Sequence, residues 1–288
     1  MNPYQSLVSN YARLWREGRQ IPMGNLPATP APAINPAAGN VLIFSPHPDD
    51  ECIIGGIALR LLRESGCRVA NVAVTQGTLP ARQQGRLEEL KAACAYLHFD
   101  LIQTSATGLS PITLKARETD SCHWGESVEV IAGILEREKP RVILFPHALD
   151  WNSAHIGVHH LLMDALKLQR PGFSCYTVET EYWGQNMQPN LMVELSEHDV
   201  ADLVAGTSCH VVEVTRNPFH LLMPAWMQDN VRRGSELVGG QGQAAPDFGF
   251  ATLYQVRRWS NGTLAEAWTG GRMLSKTESP LSLFSGTA

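Results

Sequence analysis

Between residues 40 and 170 short apolar runs alternate with longer segments of helical period, and few folds accept that order. The runs are "NVLIFSP", "RVANVAVTQG", "DLIQT" and "RVILFP". Interleaved with them are "IGGIALRLLRESG", "ARQQGRLEELKAACAYL", "ESVEVIAGILEREKP" and "HIGVHHLLMDALKLQ". Unbroken Val/Ile/Leu runs mark strands covered on both faces, and strands separated by helices return to one sheet as parallel crossovers. The expected fold is α/β: a Rossmann-like, doubly wound, mostly parallel sheet with helices on both faces. Upstream, residues 4–17 set Tyr4, Leu7, Tyr11 and Leu14 on one helical stripe, and "LPATPAPAINPAAGN" is too rich in proline to continue a helix. This predicts an N-terminal helix and Pro/Ala-rich connector over residues 1–39, then a single domain over 40–288. After about residue 170 the rhythm changes. "SCYTVETEYW", "LMVEL" and "ATLYQVRRW" read as strands, "SEHDVADLVAGTS" opens with a capping-box-like Ser196 and Asp199, and "AWMQDNVRRGSEL" reads as a helix. The C-terminal third is expected to be irregular.

Ligands of an open α/β sheet bind beyond the carboxyl ends of its strands. Two loops in that position are dense in charge: "SPHPDDE" behind the first strand and "PHALDWNSAHIGVHH" behind "RVIL". Charges so close to a buried strand need a partner, a helix start or a metal. Complementing a helix dipole accounts for Asp49, Asp50 and Glu51, but it leaves His47 and the second loop unexplained. If the two strands are neighbours, His47, Asp49 and Asp50 face Asp150, Asn152 and His155. A set of two imidazoles and one carboxylate suits a catalytic zinc with an open position for water, and iron or manganese takes the same N/O ligands. Adjacent Asp49 and Asp50 project in different directions, so one can bind metal while the other reaches the water. His155, His159 and His160, each taken singly, also read as a helix face or as satisfied histidines.

The totals exclude other classes. A net charge of −5 argues against nucleic-acid binding by phosphate neutralisation. No apolar run approaches the ~20 residues of a membrane span, and the N-terminal segment is amphipathic rather than apolar. A cytoplasmic protein is expected, with a homo-oligomer left open. The six cysteines are scattered without a CxxC pair, which speaks against a disulfide framework or structural zinc, and several lie in apolar stretches where a buried thiol is expected. "GSELVGGQG" comes too late and follows no first strand, so a dinucleotide site is a weak reading.

"PHPDDE" resembles the signature of the zinc-dependent de-N-acetylase superfamily known as LmbE-like or PIG-L. That family includes N-acetylglucosaminyl-phosphatidylinositol de-N-acetylases and the deacetylases of mycothiol and bacillithiol synthesis. "TQG" resembles its T-x-G turn, "RLEELKAACAYL" its R-x-x-E-L-x-x-A-A helix, and "DWNSAHIGVHHLLMDAL" its second metal-binding segment. The similarity spans roughly residues 40–170. The resemblance implies His47 and Asp50 as metal ligands, Asp49 as general base, and His155 as third ligand, with His159 one turn later as the rival. Arg86 falls where the family places a sugar-contacting arginine; a solvated helix arginine is the alternative. Asn152 stands where the family has a histidine thought to steady the oxyanion. An amide can donate a hydrogen bond but gives up no proton, so the acid is left to His147, His159 or His210. The activity implied is hydrolysis of the acetamide of an N-acetylated amino sugar or its conjugate. The alternatives are a non-catalytic sugar- or nucleotide-binding protein on the same scaffold and a metal-dependent esterase. "EVTRNPFHLLMPAWMQDNVRRGSELVGGQG" either frames the substrate or forms an amphipathic helix with a solvated Arg pair.

Overall fold

Strand β1 (Asn40–Ser45) sends Val41 and Ile43 into one core and Leu42 and Phe44 into the other, as a strand covered on both faces must. The computed structural model describes residues 2–285. Beside β1 lie β2 (Arg68–Ala73) and β3 (Asp100–Gln103) on one side, β4 (Val142–Pro146) and β5 (Ser174–Thr180) on the other. The order β3-β2-β1-β4-β5 is parallel throughout. The sheet then continues antiparallel through β7 (Phe250–Ser260) to β6 (Leu191–Leu195), with β9 (Arg272–Leu274) at the edge and β8 (Thr263–Glu266) paired to β7. Helices α3 (Gly56–Ser65), α4 (Pro80–Leu97), α8 (Glu197–Ser208) and α10 (Met223–Gly239) cover one face through Leu61, Leu97, Leu203 and Met227. Helices α6 (Ser121–Glu138) and α7 (Ser153–Lys167) cover the other through Val128, Ile131, Val158 and Leu162. Short helices α2 (Asp50–Ile53), α5 (Leu114–Thr119) and α9 (Val211–Arg216) interrupt the connecting loops.

The doubly wound parallel sheet expected from the sequence is what forms, extended by an antiparallel edge. Ser196 caps α8 as anticipated, accepting from the Asp199 N–H. The N-terminal stripe behaves differently. Helix α1 (Gln5–Gly18) exists, but Tyr4, Leu7, Tyr11 and Leu14 are all more than half exposed. The helix touches the rest of the chain through the Tyr11 hydroxyl, which donates to Gln228, and through Gly18 beside Leu221, while the side chains of its apolar stripe stay more than half exposed. No helix of the described residues is long and apolar enough to cross a membrane.

Two features position the site. The strand order reverses between β1 and β4, which pair from Val41–Val142 to Ile43–Leu144, so their carboxyl ends flank a crevice at the switch point. Helix α7, which leaves that crevice, packs so close to the loop before α5 that a Cβ on Gly157 would run into the Ile112 carbonyl and lie 2.8 Å from the Thr113 Cα.

The C-terminal segment is anchored by a buried charge. Arg60 on α3 is fully buried; it pairs with Glu64 at 2.7 Å and donates to the carbonyls of Glu194, Ser275 and Glu278 at 2.7–3.1 Å. Arg60→Met would leave those carbonyls without a donor and is expected to cost about 3–5 kcal/mol. The check is urea unfolding, read as a lower midpoint at unchanged slope.

Candidate metal centre

The loop from His47 to Glu51 turns abruptly. Asp49 sits at φ +116°, ψ −27°, a strained conformation for a residue with a Cβ and one that Asp and Asn tolerate better than most. Its N–H donates to Glu51 Oε2 at 3.0 Å, and its carbonyl accepts from Cys52 and Ile53. Glu51 is fully buried and its other oxygen lies 2.8 Å from His210 Nε2. Glu51 and His210 therefore clamp the loop from below. Glu51, Cys52 and His210 form a second compact trio of ligand types, in which Glu51 Oε1 already engages both His210 Nε2 at 2.8 Å and Cys52 Sγ at 3.2 Å.

That turn and the loop after β4 bring together His47, Asp50 and His155. Asp50 Oδ2 lies 3.5 Å from His47 Nδ1 and 3.5 Å from His155 Nε2, and one ligand atom from each residue falls within 4.8 Å of the others. Two ligand atoms each about 2.1 Å from one tetrahedral ion sit roughly 3.4 Å apart, so the spacing fits a shared cation. A second observation agrees. His155 is fully buried, yet neither ring nitrogen has a hydrogen-bond partner, and an orphaned buried imidazole is costly unless something binds it. On its far side Asp150 Oδ2 lies 3.5 Å from Nδ1, with the Asp150 carboxylate held by the N–H groups of Asn152 and Gly184. A carboxylate behind a ligating histidine fixes ring orientation and raises ligand basicity. Zinc, iron or manganese would fit this donor set.

Electrostatics follow from burial and proximity. Burial and then the adjacent Asp50 carboxylate push Asp49 well above the usual carboxylate range, opposed by Arg86. Burial would also raise Asp50, but His155 and His47 outweigh it and hold the group low. For His155 burial favours the neutral ring, and the carboxylates of Asp50 and Asp150 reverse that and raise it. Desolvation would raise Asp150 too; His155 and the Asn152 N–H overcome it.

The remaining candidates divide. Asn152 caps α7, its Oδ1 accepting from the Ala154 N–H at 2.9 Å, and it lines the cleft beside His47, Asp49 and Asp50. Arg86 is not a solvated helix arginine. Its Nη2 donates to the Pro48 carbonyl at 2.8 Å and approaches Asp49 at 3.8 Å. A Cβ on Gly77, which adopts φ +82°, would lie 2.7 Å from Arg86 Nη1, so the glycine of "TQG" makes room for the guanidinium. His159 turns away from the trio: its Nδ1 bonds the Pro146 carbonyl at 3.0 Å, and burial above all drives its pKa down to about 4. His147 uses one nitrogen on the Gly184 carbonyl and the other on the Leu149 N–H. With His210 committed to Glu51, none of the three histidines considered as acid lines the cleft.

The cleft is about 580 Å³ in volume. Its lining also includes Arg82 of α4 and Arg216 of α9, which both pair with Glu213, and Trp151, Trp183 and Phe219. Of the C-terminal residues singled out in the sequence, Arg216 and Asn217 reach the cleft. The Arg232/Arg233 doublet splits: Arg232 is exposed and pairs with Asp229, whereas Arg233 is buried against Glu181 at 2.8 Å and donates to Asn230. His220 is buried as well. Sequence reading missed Tyr182, whose ring packs edge-on against His155 at 4.5 Å between centroids; the aromatic pair in "EYWG" behind a strand was the available signal.

Residues 42–166 match the model of the PIG-L family, described as GlcNAc-PI de-N-acetylase. No curated protein matches the chain in sequence. Among solved structures, the chain is similar to the 4-carboxy-2-hydroxymuconate hydratase GalB of Pseudomonas putida KT2440, with TM-score 0.54 and 18% identity over 76% of this chain and 95% of that one. It is also similar to the A40926 pseudoaglycone deacetylase Dbv21, with TM-score 0.54 and 15% identity over 76% and 97%. The N,N'-diacetylchitobiose deacetylase of Pyrococcus horikoshii aligns over 91% of this chain and 96% of its own, with TM-score 0.53 and 15% identity. At these identities the likeness speaks for the fold. Together with the family match it supports a hydrolase of the deacetylase type.

Proposed function

We propose, for a chain whose residues 42–166 match the PIG-L family, that it is a metal-dependent amide hydrolase releasing the acyl group of an N-acylated amino sugar or its conjugate. The observation that carries this reading is the approach of His47 Nδ1, Asp50 Oδ2 and His155 Nε2 to within ligand spacing of one another, with His47, Asp49 and Asp50 lining the cleft. An ion held by that trio supplies Lewis acidity toward the acyl carbonyl and brings the pKa of water down to about 7. Everything else falls to the chain. Asp49 takes a proton from the attacking water at its carboxylate, and a base whose pKa is raised by burial is suited to that task. Arg86, anchored on the Pro48 carbonyl, keeps the Asp49 side chain aimed into the cleft. Asn152, its Oδ1 tied to the helix cap, has Nδ2 to offer to the oxyanion. The new bond joins water oxygen to the acyl carbon, and the C–N bond breaks with its electron pair on nitrogen. Because His147, His159 and His210 are engaged elsewhere, Asp49 returns the proton to the amine. Trp151 and Trp183 offer apolar faces and the arginines offer donors to a sugar.

The test is acetate release from N-acetylglucosamine and its conjugates by protein loaded separately with zinc, iron(II) and manganese. Release with any of them supports the reading, and silence with all three on every N-acyl sugar tried rejects it. A narrower expectation concerns Asn152. Asn152→Asp keeps the oxygen that caps α7 and deletes the donor, so kcat is expected to fall about 10²-fold while the melting temperature stays within a degree or so of wild type. Unchanged kcat would remove Asn152 from the mechanism.

A further inference from the structure

A second cavity, of about 210 Å³, lies next to the cleft. It is lined by Ile53 at the end of α2, by Tyr182 and Trp183 behind β5, and by Phe219, Leu222 and Trp226 around the start of α10. No charged side chain contributes to it. Trp183 and Phe219 also line the large cleft and pack ring against ring at 5.9 Å, so the two spaces share that pair as a common border. Two of its lining residues adjoin the trio: Tyr182 packs on His155, and Ile53 belongs to the same short helix as Asp50. The two spaces differ in chemistry. Gln76, Asn152 and three arginines line the larger one, whereas sugar hydroxyls placed among Ile53, Leu222 and Trp226 would lose their hydrogen bonds at a cost of kilocalories each.

We infer that this chamber receives the acyl chain of the substrate, and that the enzyme hydrolyses amino sugars N-acylated by medium-chain fatty acids in preference to N-acetyl ones. The inference rests on the amide-hydrolase reading above and specifies its acyl side. With the scissile carbonyl over His47, Asp50 and His155, the amino sugar extends into the polar cleft and the acyl tail runs past Tyr182 and Ile53. A chamber of about 210 Å³ is many times the ~15 Å³ that a single water requires, far more than an acetyl methyl occupies. The chemistry is unchanged: water adds to the acyl carbon, the C–N bond breaks, nitrogen gains a proton, and the products are a fatty carboxylate and a free amino sugar.

The experiment compares two substrate series on the metal-loaded full chain. One is methyl glucosaminide N-acylated with acetyl, butanoyl, hexanoyl and octanoyl; the other keeps N-acetyl and lengthens an O-alkyl aglycone. Burial of apolar chain is worth about fourfold per methylene, so kcat/KM is expected to be at least about tenfold higher for hexanoyl than for acetyl. Leu222→Trp, which fills the chamber from its rim, is expected to lower that hexanoyl-to-acetyl ratio at least fivefold. Trp226→Ala, which enlarges it, is expected to shift the optimum toward octanoyl. The ratio is read within each variant, so partial loss of folded protein does not move it. Acetyl hydrolysis with equal or slower turnover of longer acyl chains overturns the inference and leaves the amide-hydrolase reading standing. A gain that follows the alkyl aglycone instead overturns the assignment of the chamber to the acyl side. No hydrolysis of any N-acyl substrate overturns the parent reading and this inference with it.

Discussion

Asp49→Asn is expected to lower kcat by about 10²–10⁴-fold with metal content and fold retained. The substitution is nearly isosteric, and asparagine tolerates positive φ, which matters because Asp49 sits at φ +116°. The Glu51 carboxylate that holds its N–H and the backbone contacts to its carbonyl stay in place. What disappears is the ability to take a proton. The measurement is steady-state kinetics beside metal analysis and circular dichroism. Activity within a few-fold of wild type in a fully metallated variant would take the base role from Asp49. A fall in metal content would instead give Asp49 a ligand's role.

The second large effect concerns the third ligand. His155→Ala is expected to take bound metal from about one ion per chain to near zero and to abolish hydrolysis, because two ligands remain where a catalytic zinc has three. His159→Ala serves as the contrast. His159 is buried and bonds the Pro146 carbonyl, so its loss is expected to cost stability of about 1–3 kcal/mol while metal content remains near one. The reverse pattern, metal kept without His155 and lost without His159, would transfer the ligand to the other histidine. Chelation followed by readdition of the metal should remove and restore wild-type activity.

Both expectations arise from positions that could be read in the chain. "PHPDDE" behind one buried strand and "DWNSAHIGVHH" behind another identified the residue types of the trio, since carboxylates and imidazoles at strand ends are expensive without a ligand. Between His155 and His159 the sequence left a choice. Residues one turn apart share a helix face, and their difference lies in surroundings: Asp50 and Asp150 around one ring, the Pro146 carbonyl and Phe145 around the other. Arg232 and Arg233 make the same point, since neighbours on a helix point about 100° apart and only packing decided which one is buried on Glu181.

By itself, the sequence determined the alternation of strands and helices, the parallel sheet, and the chemical types gathered at two strand ends, because periodicity and buried-strand composition are local properties. Only the tertiary structure decided that β1 and β4 are neighbours, that His210 supports the Asp49 turn through Glu51, that Arg86 leans on Pro48, and that an apolar cavity borders the cleft at Trp183 and Phe219. Each of those depends on residues tens to more than a hundred positions apart meeting in space, and contacts of that kind are set by the packing of whole elements rather than by any window of the chain.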